Sequence, residues 1–258
     1  MPKLPKPCAI ELLAIRHMPE IHPDDNLLKL LLAAARKSKI TFQPNDILVL
    51  AQKIISKSEN RLIHLSKIRP SAKATELAAR SKKDPRLIEV ILRESRRVVR
   101  EHPVLIVETH HGLVCANAGV DQSNIPGQDV VSLLPKNPDA TAKKIAQSLR
   151  HLTHKKIAVI ISDTFGRPWR LGLTNVAIGA HGIPSLIDLR NTRDANNKPL
   201  HATIVAVADE LAAAAGLAMQ KSSAIPAVII RNYAYLPANA PSTPAAKIIR
   251  PAAEDLFR

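Results

Sequence analysis

Ile157-Ala158-Val159-Ile160-Ile161-Ser162-Asp163-Thr164-Phe165-Gly166-Arg167-Pro168-Trp169-Arg170 is the stretch on which the fold turns. An uninterrupted apolar run this short reads as a strand buried on both faces rather than as a helix. Ser162-Asp163-Thr164 then leads into a segment punctuated by Gly166 and Pro168, which predicts a loop at a strand end. Such a position presents a carboxylate and a hydroxyl on a rigid support. Arg167 and Arg170 carry planar guanidinium forks suited to phosphate or carboxylate oxygens. A structural Asp–Arg pair closing the loop around Trp169 is the competing reading.

Working outward, strands are expected at Ala9–Ile15, Ile47–Leu50, Val98–Val99, Val104–Val107, Val176–Ile178, Ile183–Leu189 and Ala227–Ile230. Helices are expected over Leu27–Ala35 behind an Asp25 cap, after Ser71 through Ala79, from Asp84-Pro85, and over Asp139–Leu149 and Val207–Met219. The basic run RESRRVVR at 93–100 reads as a solvated helix face. Residues 237–249, rich in Pro and Ala, read as an extended passage to a short C-terminal helix. Strands and helices alternate too irregularly for a doubly wound sheet, so the expected class is α+β, a mixed α/β arrangement. One unit over 1–258 is expected, with room for a smaller subdomain.

Composition narrows the function. Of 258 residues, 37 are Lys or Arg and 22 are Asp or Glu, a formal charge of +15, with an aromatic content of only 2%. The core must therefore be aliphatic. The charge invites a polyanion partner, but so few aromatics make no stacking platform for single strands, and no specific nucleic-acid motif is present. Cys8 and Cys115 are too few for a disulfide framework and lack zinc spacing. The N-terminus lacks the continuous apolar region of a signal peptide, and no run reaches the ~20 residues of a membrane span. A cytoplasmic protein is expected.

Two further segments could carry chemistry. Asn117-Ala-Gly-Val-Asp121-Gln-Ser123-Asn124 sets a carboxylate among amides and hydroxyls, oxygen donors that suit Mg2+ or Mn2+. A local Asx-turn would use the same residues. Gln52-Lys53-Ile54-Ile55-Ser56-Lys57 follows an expected strand, from which its lysines either reach phosphates or sit on the surface. Neither GxxxxGK[ST] nor GxGxxG occurs, so the fold is neither P-loop nor Rossmann.

Together these segments resemble the coenzyme F420-0:L-glutamate ligase family, the F420 γ-glutamyl ligases. The likeness includes KIISKSENR at 53–61, KDPRLIEVILRESRRVVR at 83–100, VCANAGVDQSN at 114–124, SDTFGRPWRLGLTNVAIGAHGI at 162–183 and VADELAAAA at 207–215. It implies the mixed fold of that family and an intertwined homodimer. It also implies GTP-dependent ligation: the carboxylate of F420-0 takes the γ-phosphate, and the amine of L-glutamate then displaces it. By the family's pattern Asp121 and Asp163 would hold one Mg2+ or Mn2+ and Thr164 a second, with K+ a further candidate. Met18, Pro19, Glu20, Ile21, Gln52, Lys53, Lys57 and Asn124 would contact GTP, and Arg167 and Arg170 the anionic substrate or the transferring phosphate.

The chain departs from the pattern after the Ala-rich helix. The family's loop there is glycine-rich and acidic and supplies a Glu to the second metal, whereas this chain has Met219-Gln220-Lys221-Ser222-Ser223-Ala224. The Arg-Gly after the next strand is replaced by Arg231-Asn232. Asp209 or Glu210 would substitute only if the fold brought that helix's start to the metal. Three readings compete with the F420 ligase: a family member that binds nucleotide or cofactor without catalysis, a ligase for another acidic acceptor, and electrostatic nucleic-acid binding.

Overall fold

The computed structural model describes residues 9–123, 125, 127, 129–234 and 242–255. In chain order the first half runs β1 (Glu11–Ala14), α1 (Leu27–Lys37), β2 (Ile47–Ala51), α2 (Gln52–Ser58), β3 (Leu62–His64), α3 (Ala72–Ser81), α4 (Pro85–Arg93), β4 (Ser95–Arg100), β5 (Ile106–Thr109), β6 (Val114–Ala116) and β7 (Val130–Ser132). The second half runs α5 (Pro138–Thr153), β8 (Ala158–Arg167), β9 (Arg170–His181), β10 (Ile187–Asp188), β11 (Ile204–Val205), α6 (Val207–Met219) and β12 (Ala227–Arg231). The mixed α+β class is what the structure shows.

The centre is a five-stranded sheet in the order β1-β12-β2-β8-β9. Only β2 and β8 run parallel; the other neighbours are antiparallel. Its strands lack polar alternation because both faces are covered. Leu48, Leu50, Val159, Ile161 and Ile229 pack on one side with Leu31, Ala34 and Ala35 of α1 and Ala142, Ala146 and Leu149 of α5. Ile47, Val49, Ile160, Val228 and Ile230 pack on the other with Ala208, Leu211, Ala212 and Ala215 of α6. Alanine at those helix positions lets α6 lie close to the sheet. Phe42 is the only aromatic residue among the buried members of these two clusters, so the core is aliphatic as the composition required.

A second lobe lies between β3 and β7. The antiparallel sheet β4-β5-β6 and helices α3 and α4 enclose their own cluster around Leu77, Ile88, Ile91, Leu105 and Val107. RESRRVVR is mostly sheet rather than a helix face: Arg93 ends α4, whereas Ser95–Arg100 form β4, which exposes Arg96, Arg97 and Arg100 and pairs with β5, whose Glu108 receives Arg97 Nε at 2.7 Å. Val98 packs against the lobe's core while its neighbour Val99 points to solvent with the arginines, as period-two alternation of a strand requires.

Other expectations need correction. Asn26, not Asp25, caps α1 by accepting from Lys29 N at 3.0 Å, because the Asp25 carboxylate is already taken by the His22 N–H at 2.7 Å. β1 is shorter than Ala9–Ile15, and Ile183–Leu189 keeps only Ile187–Asp188 as strand, since Pro184 cannot donate to a ladder. The expected extended passage 237–249 holds a 3-10 turn at Ala245–Ile248, its residues 237–241 lying outside the described ones, and the described part of the expected C-terminal helix is a single 3-10 turn at Ala252–Glu254. Most consequentially, Ser162–Arg167 is not a loop. β8 continues through Asp163, Thr164 and Phe165, turns at Pro168-Trp169, and returns as β9 with Thr164 opposite Asn175. Val176–Ile178 is part of that returning strand.

Candidate active site

Parallel register builds the site. Leu50 pairs with Ile161 and Ala51 with Ser162, so the residues that follow, Gln52-Lys53 and Asp163-Thr164, emerge side by side. The carboxyl ends of parallel strands are where open α/β sheets gather ligands. On β2 the chain enters α2 at once, with Ala51 as an N-cap that makes no side-chain bond, and α2 therefore projects Lys53 and Lys57 over the strand ends. The second lobe brings Asp121, fixed by a bridge to Ser132 in which Asp121 N donates at 3.1 Å and its carbonyl accepts at 2.9 Å.

The result is a cleft of about 660 Å3. Met18, Pro19, Glu20, Ile21, Gln52, Lys53, Lys57, Asp121, Asp163 and Thr164 all line it, so the structure gathers ten of the residues singled out above. Asn124 lies outside the described residues. Arg167 and Arg170 do not line the cleft: they face each other across the β8–β9 turn, and Arg167 Nη2 donates to Leu171 O at 3.1 Å. Among the described residues no Asp–Arg pair closes this segment around Trp169, because it is a hairpin held by ladder pairing.

Within the cleft, Lys53 Nζ donates to Asp121 Oδ2 at 2.5 Å, to Ser123 O at 2.5 Å and to Ser123 Oγ at 2.9 Å. Ser123 closes an Asx-turn, its N–H donating to Asp121 Oδ1 at 2.8 Å, so the turn and the oxygen cage are the same structure rather than rivals. Lys57 is buried and pairs with Glu20. The floor is Asp163. Burial pushes its carboxyl up to about 6; the Thr164 N–H opposes the shift, the Asp121 carboxylate adds to it, and Lys53 and Lys221 counter it. Burial also raises Asp121, but the Lys53 ammonium and the N–H and hydroxyl of Ser123 hold it below the ordinary carboxylate range. Cys115 is a core thiol, which burial pushes up to about 12.

Ser123 and Met219, quoted above without a role, line the cleft, as do Asn175 and Gly216, which the sequence did not single out. Thr164 Oγ1 donates to Asn175 Oδ1 at 3.1 Å, a cross-strand contact that only the hairpin register reveals. Lys221 lines the cleft as well. Without glycines its loop holds Gln220 and Ala224 at φ 48° and 50°, left-handed positions that glycine would take without strain. Asp209 does not replace the missing acid, because its Oδ1 is spent on Ala177 N at 2.8 Å and it lies outside the cleft lining.

A divalent cation fits this donor set on one side only. Lys53 already occupies an oxygen cage of carboxylate, carbonyl and hydroxyl, and Asp163 is a buried carboxylate facing another. The cleft's carboxylates are Glu20, paired with Lys57, Asp121 and Asp163, and among the described residues no group of three or more His, Cys, Asp or Glu is placed to hold a metal. Oxygen donors, lysines and a concave floor define a cleft for an anionic small molecule. Among the described residues no helix is long and apolar enough to cross a membrane.

The chain belongs to the F420-0:γ-glutamyl ligase family, whose model, described as F420-0:Gamma-glutamyl ligase, matches residues 15–232. Coenzyme F420:L-glutamate ligase of Methanothermobacter thermautotrophicus is 42% identical over 253 residues, covering 96% of this chain and 99% of that protein. The enzymes of the same name from Methanopyrus kandleri and Methanocaldococcus jannaschii are 43% and 44% identical, covering 93% and 84% of this chain and 94% and 86% of their own lengths.

Proposed function

We propose that this protein is a ligase that joins L-glutamate to coenzyme F420-0 at the expense of GTP, in the cytoplasm. Family membership supports the substrate class. The observation in the chain itself that carries the reading is the Lys53 ammonium lodged between Asp121 and Ser123, beside the buried Asp163.

In this reading the GTP phosphates lie along Lys53 and Lys57, and the turn Met18–Ile21 borders the nucleotide. Asp121, Asp163 and the Thr164 hydroxyl would hold Mg2+ or Mn2+, which when bound neutralises phosphate charge that two lysines alone do not. The acceptor carboxylate attacks the γ-phosphorus in line and GDP leaves. The glutamate amine then attacks the acyl carbon, phosphate leaves, and the amine's proton passes to water. Little covalent work falls to the protein, so position and charge are its contribution. Lys57 must exchange Glu20 for phosphate oxygens, and Lys221 adds positive charge to the cleft near Asp163.

A homodimer completes the reading. Trp169, Leu171 and Leu173 at the hairpin are 87%, 99% and 62% exposed, an apolar tip unsuited to water. Arg167 and Arg170 share that tip, so a second copy of the chain is the route by which they would meet an anionic substrate.

Incubation with F420-0, GTP, Mn2+ and L-glutamate tests the ligase reading. The acceptor should gain the mass of a glutamyl residue, with GDP and phosphate formed, only when all components are present. GTP and Mn2+ binding without any mass gain would favour a non-catalytic family member, a reading that Lys221 in the cleft and the pairing of its third carboxylate, Glu20, with Lys57 support.

A further inference from the structure

A second hollow, of about 420 Å3, shares Asp121 with the cleft, and its other walls belong to the second lobe, among them Lys83, Asp84, Asn117 and Gln122. Its charge is unbalanced. Asp84 is engaged by Arg86, whose N, Nε and Nη2 donate to it at 2.7–3.1 Å. Lys83 is left with a neutral partner, the Asn117 Oδ1 at 2.9 Å, and no carboxylate among the described residues lies within ion-pair reach of it. Burial lowers the Lys83 pKa, so the ammonium is partly withdrawn from water without a counter-charge. A cation so placed is stabilised when an anion joins it.

The backbone points the same way. Asn117 and Ala118 take φ 54° and 56°, two successive non-glycine residues in the left-handed region, and Gly119 follows at 69°. Strain of this kind persists where the surroundings fix a side chain for a purpose. Here it holds the Asn117 amide against Lys83, one residue triplet before Asp121 takes its place in the first cleft.

We infer that the second hollow seats the amine-bearing substrate, an acidic amino acid, with Lys83 and the Asn117 amide holding one of its carboxylates. The amine then faces the Asp121 edge, across which the activated acyl group lies. Two ligands thus meet at one carboxylate from separate hollows, and Lys83 sets the demand for an anionic amino acid. This assignment rests on the ligase reading above.

Steady-state ligation by the wild type, Lys83→Gln and Lys83→Arg tests it. Loss of a charge-assisted hydrogen bond in Lys83→Gln should raise the KM for L-glutamate roughly 10- to 100-fold. The KM for GTP should stay within about twofold, and Lys83→Arg should recover most of the loss. A merely structural lysine would move both KM values together. A change confined to the KM for F420-0, or none in either, overturns the assignment. If the wild type transfers no glutamate, saturation-transfer NMR of L-glutamate with GDP and Mg2+ separates the two ideas. A signal present in the wild type and lost in Lys83→Gln keeps the seat while the ligase reading fails; no signal in the wild type sinks the seat too.

Discussion

Asp163 and Asp121 face each other in the cleft, yet their protonation is pulled in opposite directions. Asp121 is held below its ordinary value by Lys53 and Ser123 against the effect of burial, whereas burial and the Asp121 charge leave Asp163 titrating at about 6. An acid whose folded pKa lies above its unfolded value of 3.8 favours the folded state most below the unfolded pKa, and that advantage is lost as pH rises toward 6. Above pH 6 the ionised Asp163 therefore opposes folding by about 1–3 kcal/mol. Asp163→Asn removes this cost. In EDTA at pH 8 the variant should melt a few degrees higher than the wild type, with the difference closing as the pH approaches about 4. Excess Mn2+ should reverse the order by stabilising the wild type alone, and the variant should transfer no glutamate. Lower stability of the variant in EDTA would mean that the carboxylate is structural, and unchanged turnover would remove Asp163 from the site.

The hairpin β8–β9 does most to position the site, and it is the element the sequence disguised. Gly166 and Pro168 punctuate the segment like a loop, but Gly166 sits in a ladder opposite Leu173 and only Pro168-Trp169 turns. Ladder pairing supplies the hydrogen bonds that let polar Asp163 and Thr164 remain strand residues, an effect that no local pattern encodes. Helix α2 was hidden for the opposite reason: β2 and α2 abut at Ala51-Gln52 with no linker and no capping side chain to announce the change. By contrast α6, whose buried face is written in alanines, was legible to its ends, and Ser71 and Asp84, legible as helix starts, are the N-caps of α3 and α4. The far end of β9 offers a test of how tightly the hairpin is held. A Cβ on Gly179 would lie 2.5 Å from the carbonyl carbon of Pro138, backbone that cannot swing aside. The next residue of α5, Asp139, accepts from Ala180 N and Ala245 N at 2.8 Å, so a shift of the helix would also break this clamp. Gly179→Ala should therefore destabilise the protein by about 1–3 kcal/mol, read as a lower urea midpoint at unchanged slope. An unchanged midpoint would show that α5 yields freely.

At the scale of the whole molecule, the composition pointed to a polyanion, and the fold gives part of that charge a place. Lys53, Lys57 and Lys221 line one cleft and Lys83 the neighbouring hollow, while Glu108 and Glu89 pair with arginines of the densest basic run. Trp169 and Leu171 are exposed at the end of the hairpin, outside the core clusters, on a surface open to another molecule. If that molecule is a second copy, Leu171→Asp places a charge at the centre of the contact and desolvates it without a partner, which typically shifts such an equilibrium by about 2–5 kcal/mol. Sedimentation equilibrium should then fall from twice the chain mass to the single-chain 28.1 kDa. The melting temperature of the dissociated chain at fixed concentration measures how much of the stability the contact contributes. The same substitution at Leu152, 55% exposed on α5, should leave the dimer intact. A wild type that sediments as a single chain at micromolar concentration would overturn the dimer. Arg167 and Arg170 would then have no anion to meet, and their removal should leave ligation unchanged.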